Sequence, residues 1–465
     1  MQQEFEMKER IPLKEKFAYG LGDVGNNFLF DLGQIYLLKF YTDTLGISPV
    51  AAATLFLVTK LFDGFTDVAV GTWVDNRKKW GKLGKFRSFM IYAIPPLALC
   101  TAVSFYNPDF EVTGKLIWAY CTYVAFGFAY TLFNVPYGSM LPVMTKDPLE
   151  RAQMASFREF GAKFGLLITM VAFIPLVTFF SGMFGEKYSF FAATVVFAVA
   201  GCIMQLLCTL NIKERYVEQK EQKLKEKQGS IIKSYKAILK NSPLLILSLI
   251  NLFTFSAFNV KLAVLAYYCQ YVLSDISFVP YAGAFQVICI FVGIFCAQPL
   301  VRRYGKKATY ATGAAIWGVS EVLAIIFVND LISFIIFSGL AFFGSAFTNM
   351  LNWAMISDAV EYGEWKTGTR SEGVVYSFFL FFRKFSQAVA GFVPGIVLAW
   401  VGYQANAVQT PTAIAGIKGL MFLYPGLMAI LTFLLMFFGY KLTDKRFKEI
   451  VIELNERKLN LENKN

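Results

Sequence analysis

Long apolar segments follow one another along almost the whole chain, each separated from the next by a short polar break. A window of about 20 residues, the length of a helix that crosses a bilayer, finds twelve such segments. They run approximately over residues 17–41, 48–71, 88–107, 114–144, 156–180, 188–211, 242–272, 279–301, 308–328, 331–357, 374–402 and 414–440. Because lipid offers no hydrogen-bond partners to the backbone, these segments are predicted to be membrane-spanning helices.

Composition favours the same class of protein. Hydrophobic residues make up 56% of the 465 residues and charged residues only 16%, unlike a typical soluble domain. The predicted fold is an all-α membrane protein with two six-helix bundles. The expected parts are a first bundle at 1–211, a charged connector at 212–241, a second bundle at 242–440 and a tail at 441–465, whose spacing of apolar residues predicts an amphipathic helix.

The net charge of +12 follows the predicted topology. The basic segments "DNRKKWGKLGKFR" (75–87) and "RRYGKK" (302–307) fall after even-numbered spans, while the breaks after odd-numbered spans carry few cations. The positive-inside rule then places both termini in the cytoplasm. We expect a multi-pass protein of a bacterial cytoplasmic (inner) membrane, retaining its first span and binding no nucleic acid.

Cysteine and histidine usage limits the chemistry. The seven Cys are scattered through predicted spans without a CxxC pair, and there is no His. We therefore expect no disulfide framework, no metal site beyond a possible Na⁺ and no cofactor. No nucleophile and base pair is apparent, so an enzyme is disfavoured, and any proton or cation must be held by carboxylates, amides and hydroxyls.

The first span carries polar residues on one face. Asp23, Asn27, Asp31 and Gln34 are spaced at i, i+4, i+8 and i+11, which aligns them along a helix. Lipid cannot solvate such a face, so it must look into the protein or a water-filled cavity. Asp23, Asn27 and Asp31 are candidates for binding a substrate.

The second span places two carboxylates one helical turn apart. In "LFDGFTDVAVG" (61–71), Asp63, Thr66 and Asp67 form one patch. Two neighbouring acids repel each other, and a proton, Na⁺ or nearby Lys would relieve the repulsion. The patch is either a device that couples transport to a cation or a fixed buried ion-pair network.

Other polar residues within the spans are further candidates for the cation or substrate site. They are Tyr130, Thr131, Asn134, Arg158, Lys261, Trp353 and Lys384. Lys261 has three interpretations, namely a contact to an anionic ligand, an ion pair between helices, or a long side chain that extends its ammonium toward the membrane surface. Trp353 is the aromatic residue expected to contact a sugar ring.

The two halves resemble one another weakly. Each has a basic loop after its second helix, an Asn in its fourth helix (Asn134, Asn352) and a cation in its fifth (Arg158, Lys384). Internal repeats of this kind are typical of secondary transporters, which bind substrates near the membrane midplane.

Six segments in fixed order carry a family resemblance. They are "YGLGDVGNN", "FYTDTLGIS", "LFDGFTDVAVG", "GKFRSF", "NVPYGSMLP" and "SDAVEYGEWKTGTRSEGVVYS". Over essentially its whole length the chain resembles the glycoside-pentoside-hexuronide cation symporters, the melibiose permease-like family of the major facilitator superfamily. The resemblance implies alternating access of a central site to the two sides of the membrane.

The resemblance also implies roles for particular residues. It places an H⁺ or Na⁺ site at Asp63 and Asp67, with Thr131 and Lys384 beside them, and a sugar contact at Arg158. A cytoplasmic gate is implied at Arg151, Asp358, Glu361, Glu364, Arg370 and Glu372.

The chain departs from the family pattern at two positions. Asn27 and Asn134 stand where the melibiose permease has sugar-binding aspartates, and the loss of two negative charges favours a neutral or anionic sugar. Several segments are most similar to the sulfoquinovose importer and glucuronide carrier branches. The expected function is import of a sulfoquinovose-like anionic sugar by H⁺ or Na⁺ symport, in a monomer embedded in lipid. A symporter of a glucuronide or of a neutral glycoside or pentoside, a lysolipid carrier and a non-transporting sugar sensor remain alternatives.

Overall fold

The chain is almost entirely helical in a computed structural model that describes residues 10–76, 83–145, 147–216, 238, 240–368 and 372–462. This confirms the predicted all-α class. Most of the predicted connector, residues 217–237 and 239, lies outside the described residues.

The chain divides into two compact units. The first extends to Gln219 and also takes Val279–Gly283 and Gln404–Ala407, and the second holds the remainder. The long helices of the first are α1 (Leu13–Ile35), α2 (Pro49–Asn76), α3 (Lys85–Ser104), α4 (Val112–Met144), α5 (Pro148–Phe184) and α6 (Glu186–Asn211). The helices that follow along the chain are α7 (Ser242–Tyr267), α8 (Val279–Phe327), α9 (Leu331–Thr367), α10 (Glu372–Trp400), α11 (Pro411–Lys418), α12 (Tyr424–Leu434) and α13 (Asp444–Glu462).

Among the described residues, eight helical segments are long and apolar enough to cross a membrane. They comprise α3 to α9 and the segment Pro411–Gly439, which contains α11 and α12. The other long helices α1, α2 and α10 carry charged residues of the candidate sites, which lowers their hydropathy. The total of twelve spans stays a prediction.

The predicted spans 279–301 and 308–328 are two helical stretches within α8 that meet at a kink at Gly305. Gly305 has φ +84°, a left-handed conformation that a residue with a Cβ rarely adopts. The basic segment "RRYGKK" therefore turns at one glycine, without the loop that its polarity indicated.

Glycines set the packing of the first unit. Helix α1 packs against α5 and α6. A methyl group at Gly161 of α5 would overlap the carbonyl oxygen of Gly20, and one at Gly165 would lie 2.9 Å from the Cβ of Asn27. On the other side, a methyl at Gly25 would lie 2.7 Å from the carbonyl oxygen of Gly201 on α6. The polar face of α1 is thereby held close to both neighbours.

In the second unit, α7 packs against α9, α10 and α12. The C-terminal tail forms the predicted helix, α13, which packs on α9. Ile450 and Leu454 of α13 are buried, and the Trp365 indole N–H of α9 donates to Glu453 Oε2 at 2.6 Å.

We predict that Gly161→Ala destabilises the first unit by about 1–3 kcal/mol, because the added methyl group forces α1 and α5 apart. The thermal midpoint of the detergent-purified protein measures this effect. Gly182→Ala on the same helix is the control, since a methyl group there has nothing within 4 Å. Equal midpoints for the two variants would contradict the packing argument.

Candidate functional site

An ion pair joins α1 to α5 in the first unit. Arg158 Nε lies 2.7 Å from Asp23 Oδ2, and Nη2 lies 3.3 Å from Oδ1. The Tyr137 hydroxyl of α4 donates to Asp23 Oδ2 at 2.7 Å, and the Arg158 guanidinium lies over the Tyr137 ring, 4.5 Å from its centroid. The structure therefore brings together two predicted substrate residues, Asp23 and Arg158, and fixes the guanidinium by charge, hydrogen bonds and an aromatic face.

Neutral amides lie beside this pair. Asn26 Nδ2 donates to Asn134 Oδ1 at 3.3 Å, and Gln205 Nε2 of α6 donates to Asn26 Oδ1 at 3.0 Å. Asn27, a predicted substrate residue, donates to the backbone carbonyl of Asp23 at 2.7 Å. The amides thus link α1, α4 and α6 without adding charge.

The two acids of α2 have different partners. Lys60 Nζ lies 3.2 Å from Asp63 Oδ2, whereas Asp67 Oδ1 accepts a hydrogen bond from the Thr131 hydroxyl of α4 at 2.8 Å. The Thr66 hydroxyl donates to the backbone carbonyl of Asp63 at 3.0 Å, so its bond stays within α2. The predicted contact of Thr131 with the acid pair is present in this geometry.

Tyr130 connects the two clusters. Its ring packs on Phe30 of α1, with centroids 5.1 Å apart. The Lys60 ammonium lies over the same Phe30 ring, 5.4 Å from its centroid. Tyr130 and Lys60 therefore share a neighbour on α1, the helix that carries Asp23.

Sequence reasoning missed Lys60, Asn26 and Gln205 as members of these clusters. Lys60 precedes Asp63 by three residues, a spacing at which helix side chains meet, so its signal was present. Gln205 gave a weaker signal, as an amide in an otherwise apolar segment.

Lys261 lies in the second unit with an acidic partner. Its ammonium is 2.6 Å from Glu321 Oε1 of α8, and both side chains are buried. The Trp317 indole N–H donates to the same oxygen at 3.2 Å. Among the predicted interpretations of Lys261, the structure therefore shows an ion pair between helices.

Other predicted residues of the second unit lie on α9 and α10. Trp353 is 43% exposed and packs edge-on against Phe379, with ring centroids 5.8 Å apart. The Arg383 guanidinium lies over the Trp353 ring at 5.6 Å, so the indole already has a cationic neighbour. Lys384 is the next residue of α10, and its membership of the cation site stays a prediction.

The predicted gate residues are described only in part. Asp358 of α9 forms an ion pair with Lys306, which follows the break in α8, and the Lys306 backbone N–H donates to Asp444 Oδ2 at 2.9 Å. Arg151 Nε donates to the carbonyl of Thr145 at 2.8 Å. Glu361 and Glu364 lie on α9. Arg370 and the side chain of Glu372 lie outside the described residues.

Comparison with known proteins identifies the family. Residues 18–444 match the family described as MFS/sugar transport protein. The chain belongs to this family. It is a multi-pass membrane transporter and not an enzyme, as its sequence predicted.

Several curated relatives cover nearly the whole chain. A putative 2,3-dihydroxypropane-1-sulfonate exporter of Salmonella typhimurium is 46% identical, over 97% of each chain. A putative sulfoquinovose importer of Escherichia coli is 44% identical, over 97% of this chain and 95% of the relative. A glucuronide carrier protein homolog of Escherichia coli is 35% identical, over 97% of each. The predicted resemblance to the sulfoquinovose and glucuronide branches is confirmed.

Solved structures share the fold at low sequence identity. A bacterial homolog of the human lysosomal transporter Spinster has a TM-score of 0.65 and 12% identity, over 94% of this chain and 97% of that one. A mutant of the nucleoside transporter NupG has a TM-score of 0.63 and 14% identity, over 91% and 99%. These likenesses support the predicted major facilitator fold.

We predict that Lys261→Met destabilises the protein by about 3–5 kcal/mol, because it leaves the Glu321 carboxylate buried without its cation. The double variant Lys261→Met with Glu321→Gln should regain most of this loss in a thermal unfolding measurement. It should also retain uptake, as expected of a structural ion pair. Loss of substrate binding in a stable double variant would instead assign Lys261 to the ligand.

Proposed function

We propose that this chain carries a small anionic polyhydroxy compound, a sulfonated sugar or polyol, across the bacterial cytoplasmic membrane by cation symport with alternating access. The proposed orientation has both termini in the cytoplasm, and the proposed working unit is the monomer. The family supports a small sugar-like substrate.

One observation carries the proposal for an anion. The Arg158 side chain is 28% exposed although Asp23 binds it. A guanidinium has five N–H donors, and the two bonds to Asp23 use Nε and one N–H of Nη2. The Tyr19 side chain is a further neighbour of the guanidinium, whose carbon lies 5.6 Å from the centroid of the Tyr19 ring. The N–H groups that Asp23 does not use are proposed to bind a sulfonate or carboxylate in the planar geometry that arginine favours. The amides Asn27 and Asn134 offer donors and acceptors to hydroxyl groups.

The relatives support a sulfonate over other anions. Sulfoquinovose and 2,3-dihydroxypropane-1-sulfonate both combine a sulfonate with neighbouring hydroxyls, and both appear in the names of relatives more than 40% identical to this chain. A glucuronide, which has a carboxylate, is the corresponding alternative.

Coupling is proposed at the acid pair of α2, through Asp63, Thr66, Asp67 and Thr131 of the first unit, while a role of Lys384 in coupling stays a prediction from the sequence. The hydrogen bond between Thr131 and Asp67 supports this assignment, because it combines a carboxylate and a hydroxyl oxygen as a small hard cation requires. Lys60 joins the proposal because it already balances the charge of Asp63. The cation and the substrate then need only favour the same state of the transporter.

Direction has two candidates. Import of a sulfonated sugar is the first, and export of a short hydroxylated sulfonate is the second, because the 46% identical relative is named as an exporter. In both, the gradients of cation and substrate set the net direction of flux.

We predict that Arg158→Gln lowers the affinity for a sulfonated substrate by at least tenfold, because it removes the charge opposite the anion. Binding of sulfoquinovose and 2,3-dihydroxypropane-1-sulfonate to the purified protein measures this. Arg446→Gln, a cation of α13 with Glu449 as its partner, is the control and should bind normally. Unchanged affinity in Arg158→Gln would place the anion elsewhere.

We predict that Asp67→Asn abolishes uptake against a gradient while substrate exchange continues, because coupling needs the carboxylate and binding at Arg158 does not. Proteoliposomes under separate Na⁺ and pH gradients measure both processes and identify the ion. Concentrative uptake at the normal level in Asp67→Asn would remove this residue from the coupling site.

Efflux from preloaded vesicles, compared with uptake into empty ones, separates the two candidate directions. A cation gradient directed inward should accelerate uptake of an imported sugar. If the gradient leaves the rate of sugar uptake unchanged and alters only the rate at which the short sulfonate leaves the vesicles, the exporter is favoured.

A further inference from the structure

Asp31 differs from the other acids within α1 and α2. Asp23 has Arg158, Asp63 has Lys60, and Asp67 has the Thr131 hydroxyl. Asp31 is only 8% exposed, and its Oδ2 has no hydrogen-bond partner. No Lys or Arg nitrogen of the described residues lies within ion-pairing distance of it.

The surroundings of Asp31 hold few charges. From α5 the charge of Lys163 reaches it, but the Lys163 ammonium is 3.5 Å from Glu159 Oε1. From α4 the titratable neighbour is the Tyr130 phenol. The stretches 188–211 of α6 and 88–104 of α3 contain no Asp, Glu, Lys or Arg. An ionised carboxylate at Asp31 would therefore be buried without a direct counter-charge, which is strongly unfavourable.

We propose that Asp31 is a proton-binding site, separate from the acid pair of α2, whose proton favours binding of an anion at Arg158. A proton needs only one carboxylate oxygen, and Oδ2 has no hydrogen-bond partner. Na⁺ would instead need several oxygen ligands arranged around it. The coupling part of this proposal rests on the proposed anion site, whereas the proton-binding part stands on the burial of Asp31.

The size of the coupling follows from distance. Asp31 lies eight residues beyond Asp23 on α1, roughly 12 Å along the helix axis. At an effective dielectric constant of about 20, removing a unit negative charge at this distance raises the affinity for an anion about tenfold. Since the carboxylate forms as pH rises, affinity for the anion should fall with rising pH.

The first experiment tests the proton directly, without any substrate. Infrared spectra of the purified full-length protein at neutral pH should show a protonated carboxyl C=O band that disappears in Asp31→Asn and returns, shifted, in Asp31→Glu. Asp109→Asn, a change at an exposed carboxylate paired with Lys187, is the control and should leave the band unchanged. An Asp31→Asn band identical to that of the wild type would overturn the site.

The second experiment tests the coupling. Binding of 2,3-dihydroxypropane-1-sulfonate, measured calorimetrically in buffers of different ionisation enthalpy, should weaken about tenfold from acidic to alkaline pH and should take up a proton. Asp31→Asn should lose both effects while still binding the sulfonate. A full pH dependence in Asp31→Asn would overturn the coupling. If no sulfonate binds at any pH, the proposed function fails, and the infrared result alone decides the role of Asp31.

Discussion

The ion pair between Asp23 and Arg158 is the interaction on which the first unit depends. Two opposite charges within predicted spans are tolerated only when they neutralise each other, and here the distance is 2.7 Å. The pair joins α1 to α5, where Gly20 and Gly161 let the two helices approach closely, and the Tyr137 hydroxyl adds α4. Close helix packing and charge neutralisation therefore support each other. A bulkier residue at the crossing would separate the charges as well as the helices.

Other buried charges of the protein are also neutralised by a partner, but in different ways. Lys60 and Asp63 neutralise each other within one helix, while Lys261 and Glu321 do so between α7 and α8. A pair within one helix survives any movement of that helix, because its geometry is local. A pair between helices constrains their relative position. The α2 pair is therefore compatible with a transport cycle that moves α2, whereas the Lys261 pair fixes α7 against α8.

Periodicity was enough to predict the helical class, the polar face of α1 and the acid pair of α2, because side chains three or four residues apart share a helix face. The partners of these residues were harder to predict. The contact of Asn26 with Gln205 depends on the rotation of α1 and α6 about their axes, which no local pattern encodes. The break between the two helical stretches of α8 was predicted, but its short turn at Gly305 was not, for a related reason. A polar segment resembles a loop in composition, and only the backbone conformation shows that one glycine is sufficient for the chain to turn between the two helical stretches.

Charge balance around Arg158 links the amides to substrate choice. Asp23 and Arg158 together carry no net charge, and the amides Asn26, Asn134 and Gln205 add none. An aspartate in place of Asn134 would give the cluster a net negative charge, which would repel an anion. Asp23 would still compete with that anion for the Arg158 guanidinium. The neutral amide keeps hydrogen-bonding capacity for hydroxyl groups and adds no negative charge beside the anion proposed at Arg158. The cluster can therefore satisfy both the charge and the hydroxyl groups of the anionic polyol proposed as the substrate, and the proposed protonation of Asp31 would extend the same balance along α1.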